Sequence, residues 1–160
     1  MKQILISACI AGEAIRYDGR GFPVKDPLLM EWLKEKRALP FCPEVSGGLA
    51  TPRPPAEIQG GSGLDVLAGR ARIVNTLGED VTDDFVLGAH KTLSFAKDNG
   101  VMAAILKENS PSCGSTTIYD GTFSSHLVPG NGVTTALLRA HHIVVFNETE
   151  IAGAARFLAE

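Results

Sequence analysis

Short apolar runs alternating with amphipathic stretches predict an α/β fold with a mostly parallel sheet flanked by helices. Three observations carry this expectation. The runs at 3–8, 38–41, 101–106 and 142–146 are rich in aliphatic residues and too short for helices. The stretches after them show helical spacing with recognisable caps. The chain has 160 residues, 44% hydrophobic and 21% charged, which suits a single globular domain over 1–160 with one core.

Residues 3–8 read as the first strand, Ile- and Leu-rich and without breakers. The loop at 10–21 carries Arg16-Tyr17-Asp18 between glycines. Asp26-Pro27 has the form of an N-cap followed by proline in the first turn. Leu28, Leu29, Trp32 and Leu33 then recur at helical spacing, and Lys34 to Arg37 place cations at the C-terminal end. Residues 38–41 form the second strand.

From 43 to 69 the sequence predicts a long irregular Pro/Gly-rich loop region, stiffened by Pro52, Pro54 and Pro55 and tipped by a flexible Gly60-Gly61-Ser62-Gly63. Residues 65–67 and 71–74 resemble a short hairpin. Phe85, Ala89, Leu93 and Ala96 share one face of a helix over 83–99, stopped by Asn99-Gly100. A strand at 101–106, a short strand at 116–119 and an Asp120-Gly121 turn follow. Pro129-Gly130-Asn131-Gly132 reads as a tight turn into a helix at 133–140, although its backbone amides could also face an anion. His141 and His142 fall at that helix's end, where they cap carbonyls. The last strand, 142–146, has Val144, Val145 and Phe146 in the core, and a helix at 149–159 takes Thr149 as N-cap.

A net charge of −3 offers no basic footprint for a nucleic-acid duplex. No apolar run approaches the roughly 20 residues a membrane helix needs. The first residues read as a strand and not as a secretion signal, which predicts a cytoplasmic protein. In that reducing compartment three cysteines stay free, and an odd number cannot pair completely. A homodimer is compatible with the sequence.

Cys9, Cys42 and Cys113 each follow a predicted strand, Cys113 within the loop Ser110-Pro111-Ser112-Cys113-Gly114. In parallel sheets ligands bind beyond the carboxyl ends of the strands. No C-x-x-C pair is present, so the thiols read either as small buried hydrophobes or as joint metal ligands. Thiolates suit zinc, copper(I) or iron–sulfur clusters. Zinc would need a histidine as fourth ligand. A four-iron cluster on three cysteines instead leaves one iron open, a Lewis acid with affinity for sulfur. Glu44, two residues after Cys42, should overhang the same pocket, where desolvation raises its pKa toward that of a proton carrier. Ser110 and Ser112 offer hydroxyls that could orient a substrate or water, or could bond their own backbone.

Several stretches together resemble the bacterial DUF523 family associated with thiouracil desulfidases. They are Ile6-Ser7-Ala8-Cys9 with Gly12 and Arg16-Tyr17-Asp18-Gly19; Cys42-Pro43-Glu44 with Gly47-Gly48 and Thr51-Pro52-Arg53-Pro54-Pro55-Ala56-Glu57; Ser110-Pro111-Ser112-Cys113-Gly114; Ile118-Tyr119-Asp120-Gly121; and Pro129-Gly130-Asn131-Gly132-Val133. The resemblance implies a [4Fe-4S] cluster on Cys9, Cys42 and Cys113 with one open iron. It implies non-redox removal of sulfur from a small thiolated pyrimidine, giving uracil and sulfide, with Glu44 and Ser110 catalytic. Arg16, Arg53 and Ser112 are then candidate substrate contacts, although a cation there could equally be the electrostatic partner of an anionic centre. Two other classes compete. One is a non-catalytic iron–sulfur or zinc module with a structural or redox-sensing role, which would not require Glu44 and Ser110. The other is a cysteine-nucleophile enzyme, which needs a histidine beside one thiol.

Overall fold

The structure is a computed structural model that describes residues 2–160. From its N-terminal end, β1 (Ile4–Ser7) leads through a loop to α1 (Pro27–Lys34) and β2 (Ala38–Phe41). Next come α2 (Pro43–Ser46), β3 (Ala56–Gln59), α3 (Gly63–Leu67), β4 (Arg72–Asn75) and the long α4 (Thr82–Asp98). Then follow β5 (Ala103–Leu106), β6 (Thr117–Tyr119), β7 (Leu127–Pro129), α5 (Val133–Ala140), β8 (Val144–Asn147) and α6 (Ile151–Ala159).

The main sheet has the order β2-β1-β5-β8, and every pairing in it is parallel. Strand alternation distributes the core over its two faces. Ile4, Ile6, Ala103 and Ile105 pack with Leu29 and Trp32 of α1 and with Ile151, Ala154 and Leu158 of α6. Leu5, Ala104 and Leu106 pack with Phe85 and Leu93 of α4 and with Leu137 and Leu138 of α5. β1 and β5 are apolar on both faces because helices cover both, as a parallel sheet requires. The α1 cap forms as expected: Asp26 Oδ1 accepts from Leu28 N at 2.9 Å and Leu29 N at 3.3 Å.

The region 43–69 departs from the expected irregular loop, since it holds α2, β3 and α3. The 60–63 segment is no flexible tip: Asp65 Oδ2 accepts from Ser62 N at 2.9 Å, and a Cβ on Gly63 would lie 2.2 Å from Gly132 O. The expected hairpin within 64–74 is absent because 63–67 is helical; β4 pairs instead, antiparallel, with β3. A second antiparallel ribbon joins β6 to β7, a strand without a sequence signal. Thr149 is not the N-cap of α6: Glu150 takes that place, and Thr149 donates to Asn147 Oδ1 at 2.6 Å. His141 and His142 do close α5, through backbone amides that donate to Leu138 O and Arg139 O.

One close approach fixes α2 beneath the site. A Cβ on Gly88 of α4 would lie 2.0 Å from Pro43 O, and one on Gly47 would lie 2.0 Å from Asp84 O. Only glycine at both positions lets α2, and with it Cys42 and Glu44, press onto α4.

Candidate active site

Cys9, Cys42 and Cys113 line one cavity of about 400 Å³. The topology brings them together, because β1, β2 and β5 are neighbours and each delivers its cysteine beyond its carboxyl end. Cys42 is the extended N-cap of α2. Cys113 is held by its own loop: Ser110 Oγ accepts from Cys113 N at 2.7 Å and Ser112 N at 3.2 Å, and Thr135 Oγ1 donates to Cys113 O at 2.9 Å. Ser7 Oγ stands 3.9 Å from Cys113 Sγ and accepts from Lys107 N at 2.9 Å.

All three thiols are free. Burial, and then the neighbouring Cys42, pushes the Cys9 thiol up to about 11. Burial raises Cys42 as well, and it raises Cys113 with Glu44 and Cys42 adding to the effect. The thiols are therefore neutral near pH 7, and all three ionise together only with positive charge among them. Three soft donors around one cavity fit an iron–sulfur cluster. Among the described residues no three His, Cys, Asp or Glu side chains stand close enough to share a single ion, and no histidine lines the cavity. The zinc and cysteine-nucleophile readings thus lack their histidine.

Glu44 lines the same cavity. Arg53 Nε and Nη2 both donate to its Oε1 at 3.2 Å, and the Arg53 and Glu44 side chains are only 7% and 15% exposed. Arg53 Nη1 donates to Ile15 O, Ala50 O and Thr51 Oγ1, which fixes the guanidinium from behind. Its fork is turned to Glu44, a partner that loop position alone did not reveal. Burial lifts the Glu44 carboxyl above the ordinary carboxylate range, while Arg53 and a hydrogen bond from Ser110 pull against it. Two backbone amides occupy the Ser110 oxygen, so its proton is available to Glu44.

Arg16 also lines the cavity, its guanidinium 5.8 Å from the Tyr17 ring centroid and 5.5 Å from that of Phe22. Ser112 corrects the expectation of a substrate contact. It is 1% exposed, and its Oγ is bound to Thr134 Oγ1 at 2.7 Å, on the α5 side of the loop.

Sequence reasoning missed two carboxylates in the cavity wall. Glu108 accepts from Ser115 N and Oγ at 2.7 Å, from Thr116 N and Oγ1 at 3.1 Å, and from Asn147 Nδ2 at 2.8 Å. Burial alone would raise its pKa, but hydrogen bonds from Ser115, Thr116 and Asn147 bring the carboxyl down to about 2. The hydroxyl run Ser115-Thr116-Thr117 was the available signal. Glu57, buried on β3, closed one of the motifs quoted above without having a role attached to it.

A parallel sheet covered on both faces, with three thiols and a buried carboxylate converging at its ligand end, has the build of a metal-cofactor enzyme. The chain belongs to the 2-thiouracil desulfurase family, which it matches over residues 4–150. It is similar to the uncharacterized protein YbbK of Bacillus subtilis (strain 168), with 49% identity over 148 residues, 92% of this chain and 97% of that protein. It is also similar to the solved structure of the [4Fe-4S]-dependent thiouracil desulfidase TudS, with a TM-score of 0.92, 44% identity and 99% of each chain covered.

Proposed function

We propose that this chain, as one domain over 1–160, is a [4Fe-4S]-dependent thiouracil desulfidase that converts a thiolated pyrimidine and water to uracil and sulfide. The observation that carries the reading is one cavity lined by Cys9, Cys42, Cys113, Glu44 and Ser110 at the carboxyl ends of adjacent parallel strands. Family membership and the likeness to TudS support it. A purely structural cluster would not call for an open cavity with an Arg-held carboxylate beside the thiols. The cytoplasm suits free thiols, and we assign the protein there.

Cys9, Cys42 and Cys113 would hold the cluster. Bound there, it would supply a Lewis-acidic iron with affinity for the thiocarbonyl sulfur. Glu44 acts as general base on the water that attacks the carbon bearing sulfur. Arg53 holds Glu44 Oε1, so the carboxylate meets that water in one orientation. Ser110 steadies it by hydrogen bonding. Arg16, in the cavity wall, would contact the polar edge of the pyrimidine. A carbon–oxygen bond forms, the carbon–sulfur bond breaks, and both protons of the water leave with the sulfur as hydrogen sulfide. No electrons are exchanged.

Anaerobic reconstitution with iron and sulfide, followed by metal counting and incubation with 2-thiouracil and 4-thiouracil, tests the proposal. The expected result is about four irons per chain and uracil from at least one substrate. Zinc, an apo protein, or a full cluster without uracil would overturn it.

A further inference from the structure

The turn at 120–123 lines the cavity through Phe123, a part of the wall that the chemistry above leaves without a role. Phe123 is 37% exposed, so it stands at the cavity rim. Its φ of 57° lies in the left-handed region, which an aromatic residue enters only when its surroundings impose it. Those surroundings are on β3. Glu57 is 9% exposed, and its Oε1 accepts from Gly121 N at 2.9 Å and from Phe123 N at 3.2 Å. Gln59 Nε2 donates to Gly121 O at 3.1 Å. Gly121 has φ 91°, and a Cβ there would lie 2.6 Å from Ile58 O, so the turn presses directly on the β3 backbone. A buried carboxylate is thus committed to holding one strained aromatic residue at the mouth of the site. Strain of this kind gathers at ligand clamps.

We infer that Phe123 is a specificity-determining residue whose ring stacks on the flat face of the thiolated pyrimidine, with Glu57 as the positioning residue that sets it there. The inference rests on the desulfidase reading. Bases stack on aromatic rings whatever their hydrogen-bonding edges. Phe123 therefore selects for a planar ring and not for the position of its sulfur.

Steady-state kinetics on the reconstituted enzyme test this. Phe123→Ala raises KM about tenfold and leaves kcat within about twofold, the signature of lost uniform binding. Phe123→Leu keeps the bulk but not the π face and raises KM nearly as much, whereas Phe123→Tyr stays close to wild type. Glu57→Ala raises KM like Phe123→Ala, and Glu57→Gln, which keeps a carbonyl acceptor, recovers most of that loss. The double variant Glu57→Ala/Phe123→Ala is no worse than Phe123→Ala alone, because both act through one contact. If Glu57→Ala does not fold, Glu57→Asp, one methylene shorter, takes its place in the cycle.

An unchanged KM in Phe123→Ala, or full recovery by Phe123→Leu, overturns the stacking role. Additive losses in the double variant overturn the positioning role and make Glu57 an independent contact. A wild-type enzyme that forms no uracil refutes the desulfidase reading itself, an outcome distinct from both.

Discussion

Glu44 and Glu108 both stand in the wall of one cavity, and the chain surrounds them in opposite ways. Glu108 is wrapped by donors from Ser115, Thr116 and Asn147, and its carboxyl falls to about 2. By tying residue 108 to residues 115 and 116 it closes the loop that presents Cys113. Glu44 has Arg53 on one oxygen and Ser110 beside it, and burial drives its carboxyl upward. A carboxylate saturated with hydrogen bonds is a strut. One that is partly dried and incompletely bonded retains basicity for a reaction. Position in the sequence does not separate the two, since both follow an apolar strand.

The contrast is sharpest in turnover. We expect Glu44→Gln to lower kcat by about 10²- to 10⁴-fold, the usual contribution of a general base, with the cluster's absorbance and iron content unchanged. Arg53→Lys comes next, at about tenfold, because an ammonium cannot reproduce the Nε/Nη2 fork on Oε1. Kinetics at saturating substrate check both.

Glu108→Gln should reverse the pattern. Turnover stays within about threefold, while urea denaturation at pH 7 shows a loss of about 2 kcal/mol from the 108–117 loop. That loss depends on pH with a definite sign. The Glu108 pKa is lower folded than unfolded, so its stabilisation is fully present above the ordinary value of 4.5 and disappears as pH falls toward about 2. The gap between wild type and Glu108→Gln should therefore close across that window. Glu44 has the opposite sign in the cluster-free protein. Its raised carboxyl favours the fold below its ordinary pKa, and this contribution fades as pH rises through the folded value. The stability of Glu44→Gln relative to wild type should accordingly grow as pH rises above 4.5.

Where local pattern decides the structure, the sequence was legible. β1, α1, β2, α4, β5 and α5 follow from apolar period and caps such as Asp26-Pro27 and Asn99-Gly100. The region 43–69 was opaque because remote contacts organise it. Gly47 meets Gly88, Gly63 meets Gly132, and β3 finds its partner in β4. Short helices held by such contacts leave no periodic trace.

The site divides in the same way. The convergence of the cysteines, Glu44 and Ser110 on one cavity could be read because strand exits in a parallel sheet share one end. The hold of Arg53 on Glu44, of Glu108 on Ser115 and of Glu57 on the 121–123 turn depends on which loops meet in space. Ser112 misled because adjacent residues in a tight loop can point to opposite sides: Cys113 lines the cavity while Ser112 bonds Thr134.

The most direct test sets Glu44→Gln and Glu108→Gln beside the wild type, all reconstituted anaerobically to the same cluster absorbance and mixed with thiouracil in excess. Uracil should accumulate at comparable rates in the wild type and Glu108→Gln, and barely at all in Glu44→Gln. A Glu44→Gln enzyme that turns over like the wild type, or a Glu108→Gln enzyme that retains its cluster but is inactive, would show that the division between a working carboxylate and a strut is wrong.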